Sequence, residues 1–187
     1  EHDLANDTLL YASAAPGYKA GGFNDGCAAG ATELGVACPA SIAVPQATLV
    51  YHPQTLRSHE AGLKTRFWQR RASFNLALFD YDYRNLQLSG VAFVNGTPRF
   101  VTSNAGQASV KGAEADGQLR VGSAGQFNWA INWLDAHYVS YRPDGVTSWA
   151  GRALDRAPRR SGMLGYRHRF AVPGGQLHAG WSSRATA

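Results

Sequence analysis

The stretch QFNWAINWLDAHYV, residues 126–139, decides how this sequence folds. Phe127, Trp129, Ile131 and Trp133 recur at every second position, with Asn128, Ala130 and Asn132 between them. A helix would scatter those four large side chains around its circumference, whereas a strand gathers them on one face. The stretch is therefore a strand with one apolar side and one polar side.

The same period extends in both directions. Over residues 58–67, Ala61, Leu63 and Phe67 oppose Glu60, Lys64 and Arg66. Over 109–121, Ala113, Ala115, Leu119 and Val121 oppose Glu114, Asp116, Gln118 and Arg120. Further on, Leu164, Tyr166, His168 and Phe170 oppose Arg167 and Arg169, and Leu177, Ala179 and Trp181 oppose Gln176, His178 and Arg184. In residues 74–88 the phase changes: Phe74, Leu76 and Leu78 hold one side, Phe79, Tyr81 and Tyr83 the other, which predicts a bulge or a phase shift near Leu78-Phe79. An opening strand at about 8–18 is ambiguous in phase. Pro16 lacks a ladder donor and is expected at its end. The pattern gives about seven strands.

The connections alternate in length. A long segment (19–56) is followed by a tight turn (68–71), and a medium loop (90–104) by another tight turn (122–125). A second long segment (141–158) precedes the last turn, 172–175. Long outer loops and short inner turns mark a transmembrane β-barrel, and strands of about 9–11 residues suffice to span the hydrocarbon when tilted. Backbone groups in lipid must pair, so a closed antiparallel barrel is the one sheet that spans a membrane. The expected class is all-β: antiparallel transmembrane β-barrel strands, about seven from a larger barrel. A soluble β-sandwich also alternates and is the competing architecture. Tyr81, Tyr83, Tyr138 and Tyr141 near the outer strand ends are expected to form an aromatic girdle and favour the barrel.

Composition agrees. Charged residues are 17%, against about 25% in soluble proteins, while hydrophobic residues reach 44% with no run near a membrane helix. The net charge is +5, but Arg70-Arg71 and Arg159-Arg160 fall at strand ends and no basic face is concentrated, so nucleic acid is not an expected partner. Cys27 and Cys38 lack a CxxC spacing and are disulfide candidates. Closing so short a loop would contribute about 2–3 kcal/mol. Two reduced thiols are the alternative.

Five motifs, in order, carry a family resemblance. LYASAAPGYKAGGFN (10–24) and EAGLKTRF (60–67) are followed by NLALFDYDYRNLQLSG (75–90), VKGAEADGQL (110–119) and GRALDRAPR (151–159). Together they resemble the C-terminal part of the barrel of TonB-dependent receptors. The resemblance implies an outer-membrane receptor of about twenty-two strands, with an N-terminal plug and a box that contacts TonB. It implies energised uptake of iron–siderophore complexes, haem, cobalamin or other scarce nutrients. Residues 1–187 would then be a partial barrel domain without the plug, the TonB-contact box or a terminal aromatic residue, and outer-membrane lipid would be a partner. Ala14-Ala15-Pro16 departs from the aromatic and basic residues more usual before Gly-Tyr-Lys. A passive porin is the alternative with the same architecture.

Glu60, Lys64, Arg66, Glu114, Asp116, Arg120, Arg167 and Arg169 are the expected lumen-lining residues. They could guide an anionic ligand or touch the plug, but mixed signs favour a salt-bridge ladder in which neighbours neutralise one another. No histidine spacing makes a metal or haem motif; His52 and His137, near the outer surface, are the candidates if such a site exists. His59 stands apart and His168 falls on an apolar side. Catalysis is not expected, since Ser182, Ser183 and His178 share only a strand and GxSxG is missing. The long segment 19–56 is the expected ligand-contacting loop.

Overall fold

A computed structural model describes every residue except Glu1, Asn6, Ala29, Ala31, Leu34, Gly35, Ser41 and Asn95. The chain opens with β1 (His2–Ala5) and β2 (Thr8–Lys19). A long outer segment follows, carrying short pieces: β3 (Gly22–Phe23), β4 (Cys27–Ala28), β5 (Thr32–Glu33), β6 (Val36–Ala37), β7 (Ala43–Val44), α1 (Gln46–Leu49) and β8 (Val50–Tyr51). Then come β9 (Gln54–Phe67), β10 (Ala72–Arg84), β11 (Gln87–Val94), β12 (Thr97–Asn104), β13 (Gln107–Val121), β14 (Gly125–Ser140), β15 (Arg160–Val172) and β16 (Gly175–Thr186). The main sheet has eight strands in the order β1-β2-β9-β10-β13-β14-β15-β16, with antiparallel neighbours throughout. The short β1, outside the sequence pattern, adds one strand to the seven long ones.

Register sorts the side chains, because residues paired across an antiparallel ladder share a face. Leu10, Leu63, Leu76, Ala115 and Ile131 are successive partners across five strands. One step towards the outer loops, Ala12, Ala61, Leu78, Ala113 and Trp133 form the next apolar row. Among the described residues no second sheet covers this face: Leu78 is 52% exposed, Ile131 60% and Trp181 52%. A soluble sandwich would bury these side chains against a second sheet. Of the six buried apolar residues among those described, Val44, Ala105, Ala108, Ala136 and Tyr138 instead sit at the outer end, and the sixth, the small Ala72, lies beside an inner turn. The sandwich reading is excluded by that distribution.

Four local expectations need correction or a choice between alternatives. The ladder of β10 runs unbroken from Ala72 to Arg84 against both neighbours, so of the two alternatives at Leu78-Phe79 the bulge is ruled out and the phase shift stands. The phase change instead marks where the apolar requirement switches sides. Above Leu78 the outward face carries Asp80 and Asp82, while Phe79 and Tyr81 stack at 5.0 Å on the other face. Pro16 lies inside β2, opposite Arg57. It is tolerated because β1 pairs only with Thr8–Leu10, leaving the other edge of β2 without a described strand beside Pro16. The medium loop is a hairpin, β11 with β12, standing apart from the main sheet. Finally, Tyr81, Tyr83 and Tyr138 share the polar face with Glu60 and Glu114, so they are not a lipid-facing girdle. Loops cover that end, and Tyr138 is 2% exposed.

Candidate functional site

The polar face presents all eight charged residues singled out from the sequence. Glu60 pairs across the ladder with Phe79, Lys64 with Asn75, Arg66 with Ser73, and Glu114 with Ala77 and Asn132. Asp116 pairs with Asn75, Arg120 and Arg167 each with Gln126, and Arg169 with His178. They share a side but not a salt-bridge ladder: none of the eight forms an ion pair among the described residues. The ion pairs present are Arg70–Asp7 at 3.0 Å, Lys111–Asp80 at 3.0 Å and His137–Asp135 at 3.3 Å.

Neutral groups hold the acids instead. Tyr11 donates to Glu60 Oε1 at 2.7 Å and Tyr81 donates to Oε2 at 3.3 Å. Lys64 Nζ lies 5.3 Å from the centre of the Tyr11 ring, so one tyrosine stands between an acid and a base four residues apart on β9. Asn75 Nδ2 donates to Asp116 Oδ2 at 2.9 Å and separates that carboxylate from Lys64 in the same row. The expected ladder fails because adjacent strands place Phe79, Ser73, Ala77, asparagines and Gln126 opposite the charges rather than counter-charges.

Charge on this face is graded along the strands. Near the inner turns a concavity of about 730 Å³ is lined by Lys64, Arg66, Arg70, Arg71 and Arg120, with Asp7 as its one acid. A second, of about 380 Å³, shares Arg120 and adds Arg167, Arg169 and His178 with no acid at all. Glu60 and Glu114 lie towards the outer loops.

At the outer end the loops are tied together. Asn24, nearly buried, donates through Nδ2 to the carbonyls of Thr48 and Thr102 and accepts from the Thr102 N–H. Gln87 Nε2 donates to the Ala20 and His52 carbonyls; Asn104 Nδ2 donates to those of His52 and Asn85. These amides join the long loop to the β11–β12 hairpin. Cys27 and Cys38 form a disulfide with a Cα–Cα distance of 5.8 Å. The late loop folds back on β14, where Tyr138 N–H donates to Arg152 O and Leu154 N–H to Ala136 O, both at 2.9 Å. Tyr138, Tyr141 and Trp149 form a ring cluster, and the Arg152 guanidinium lies 3.9 Å from the Trp149 ring centre. Asp144 turns the loop by accepting from the Thr147 hydroxyl and the Thr147 and Val146 N–H groups, which hold its pKa down at about 2.

His52 is exposed in the long loop, His137 contacts Asp135, and His168 Nδ1 is 2.8 Å from the Tyr166 hydroxyl. Among the described residues no three His, Cys, Asp or Glu side chains gather as a metal-binding group. Residues not singled out from the sequence are Tyr11, Asn24, Gln87 and Asn104. The GGFN motif contained Asn24, but nothing in spacing alone shows which carbonyls an amide will reach.

An open sheet with one apolar face, one polar charged face and ordered outer loops is the wall of a membrane barrel. The family model for the TonB-dependent-receptor-like β-barrel matches residues 1–186. The chain belongs to the TonB-dependent receptor family. It is a piece of an outer-membrane β-barrel, and the family consists of transport receptors rather than enzymes.

Solved structures of this family have the same fold. The ferric yersiniabactin uptake receptor FyuA from Yersinia pestis aligns at a TM-score of 0.62 and 19% identity, over 94% of this chain and 23% of its own. BauA, the ferric preacinetobactin receptor from Acinetobacter baumannii, aligns at 0.62 and 19%, over 98% and 24%. The copper transporter OprC aligns at 0.63 and 15%, over 100% and 25%. The chain thus spans about a quarter of the length of these proteins. No curated protein sequence matches it.

Proposed function

We propose that this chain forms part of the barrel wall of a receptor that imports a scarce nutrient, such as an iron–siderophore complex, across the outer membrane with energy delivered through TonB. Its polar face lines the lumen, with Glu60, Lys64, Arg66, Glu114, Asp116, Arg120, Arg167 and Arg169 on the wall, and its apolar face meets lipid. TonB acts through a region outside residues 1–187, where the plug also belongs. The carrying observation is the pairing of a fully open apolar face with a charged opposite face, capped at one end by cross-braced loops. Cargo is captured at the outer end, where side-chain amides tie the long loop to the hairpin. The names of FyuA and BauA support a ferric siderophore as cargo, and that of OprC keeps copper in view.

The test is uptake of ⁵⁵Fe–siderophore and of copper by cells with and without the receptor gene, each with and without a protonophore. Loss of one uptake on deletion, and its abolition by the protonophore, supports the proposal. Uptake that needs the gene but survives the protonophore identifies a passive porin.

A further inference from the structure

We infer that the outward face carries a site for one glycolipid, held by its sugar hydroxyls and by an acyl chain. Two concavities meet there. The lower, of about 540 Å³, lies among Leu10, Ala12, Ala61, Leu63, Leu76 and Leu78. The upper, of about 750 Å³, shares Ala12, Ala61 and Leu78 and adds His59, Asp80, Lys111 and Trp133. Ladder partnership sets these residues on one face in successive rows: Leu10-Leu63-Leu76, then Ala12-Ala61-Leu78, then Ala14-His59-Asp80-Lys111. The alanines of β2 and β9 make a low floor, and Leu76 and Leu78 rise beside it on β10. A groove thus runs from wholly apolar wall into a polar row. Small-molecule sites are mainly apolar with a few placed polar groups, and this one has the outline of an amphiphile.

The charges at the upper end select the headgroup. Lys111 Nζ pairs with Asp80 Oδ2 at 3.0 Å, and Asp135 stands opposite Lys111 on β14. A phosphate drawn to this ammonium would approach two carboxylates, and like charges at short range repel. A metal cation is no better served, because among the described residues no three His, Cys, Asp or Glu side chains gather to hold one. A sugar matches what remains. Asp80 Oδ1 accepts no hydrogen bond among the described residues, in a side chain that is nearly half exposed. An acceptor without a donor is a cost that a hydroxyl removes. The Lys111 ammonium keeps donor capacity beyond its bond to Asp80, and hydroxyls accept as well as donate. Trp133, 49% exposed, offers an apolar ring beside them.

This rests on the assignment of the apolar face to lipid. The experiment uses the full-length receptor in detergent micelles, with native mass spectrometry reading the lipid retained. The probes are monoglucosyl diacylglycerol, phosphatidylglycerol and diacylglycerol with matched chains. One equivalent of the glucosyl lipid should stay bound at about a tenfold lower concentration than either other probe, the gain expected of a hydrogen bond to a charged group. Asp80→Ala should remove that preference and, by freeing Lys111, favour phosphatidylglycerol. Ala61→Phe fills the groove floor and should weaken retention of all three probes. If neither variant folds, as judged by heat-dependent gel mobility, a glucosyl lipid with a photoreactive chain decides on wild type, since its cross-links should fall on β2, β9 and β10. Cross-links elsewhere, equal retention of the three probes, or a wild-type preference for phosphatidylglycerol overturns the site. So does a sugar preference that both variants leave intact. A spin label at Ile131→Cys that collides with oxygen dissolved in lipid keeps the outward assignment standing when the site fails; water access there defeats both.

Discussion

Tyr11 passes over Gly62 on the neighbouring strand to reach Glu60, and a Cβ at residue 62 would collide with the tyrosine ring. Phe79 lies over Gly112 in the same manner two strands away. The absent side chain leaves room for an aromatic ring, and the ring covers backbone that a glycine would expose. Gly62→Ala should therefore destabilise the barrel by about 1–3 kcal/mol through overpacking. Urea unfolding of the receptor in lipid vesicles measures it. The cost should shrink when Tyr11→Ala is already present, since the two residues share one contact. Additive losses would mean that the ring is not what occupies the space.

At the scale of the strand, face assignment governs tolerance. Ile131 and Asn132 are neighbours in β14 on opposite faces, partnered by Ala115 and Glu114. Ile131→Arg should cost about 2–4 kcal/mol by placing a charge in hydrocarbon, while Asn132→Arg on the polar face should cost far less. Folding titrations of the two variants in matched vesicles should separate them, and equal costs would refute the face assignment. Alternation made this legible in the sequence, because a period of two is enforced wherever one face meets lipid. Elsewhere the enforcement lapses. Above Leu78 the strands leave the hydrocarbon, so Phe79 and Tyr81 on the inner face looked like a slipped register. Pro16 looked like a strand terminus because a ladder donor is required only on a paired edge. The β11–β12 hairpin lies outside the membrane pattern altogether, and its attachment through Asn24 and Gln87 depends on carbonyls far away in sequence.

For the whole molecule, the eight wall charges could be chosen from the sequence because they occupy one phase of successive strands. Their mutual relations could not. Ion pairing depends on which residues face each other across the ladder, and the register sets Glu60 beside Phe79 and Asp116 beside Asn75. The expected neutralising ladder is therefore replaced by tyrosine- and asparagine-held acids above and unpaired bases below. A barrel wall requires its two faces to meet different solvents. Spin labels at Ile131→Cys, Leu76→Cys, Asn132→Cys and Gln118→Cys, one per receptor in bilayers, test that most directly; Cys27 and Cys38 are already joined and do not compete for label. The labels at 131 and 76 should collide mainly with oxygen dissolved in lipid, and those at 132 and 118 with a water-soluble paramagnetic complex. The reverse pattern, or equal access at all four positions, would contradict a barrel wall with a lumenal polar face.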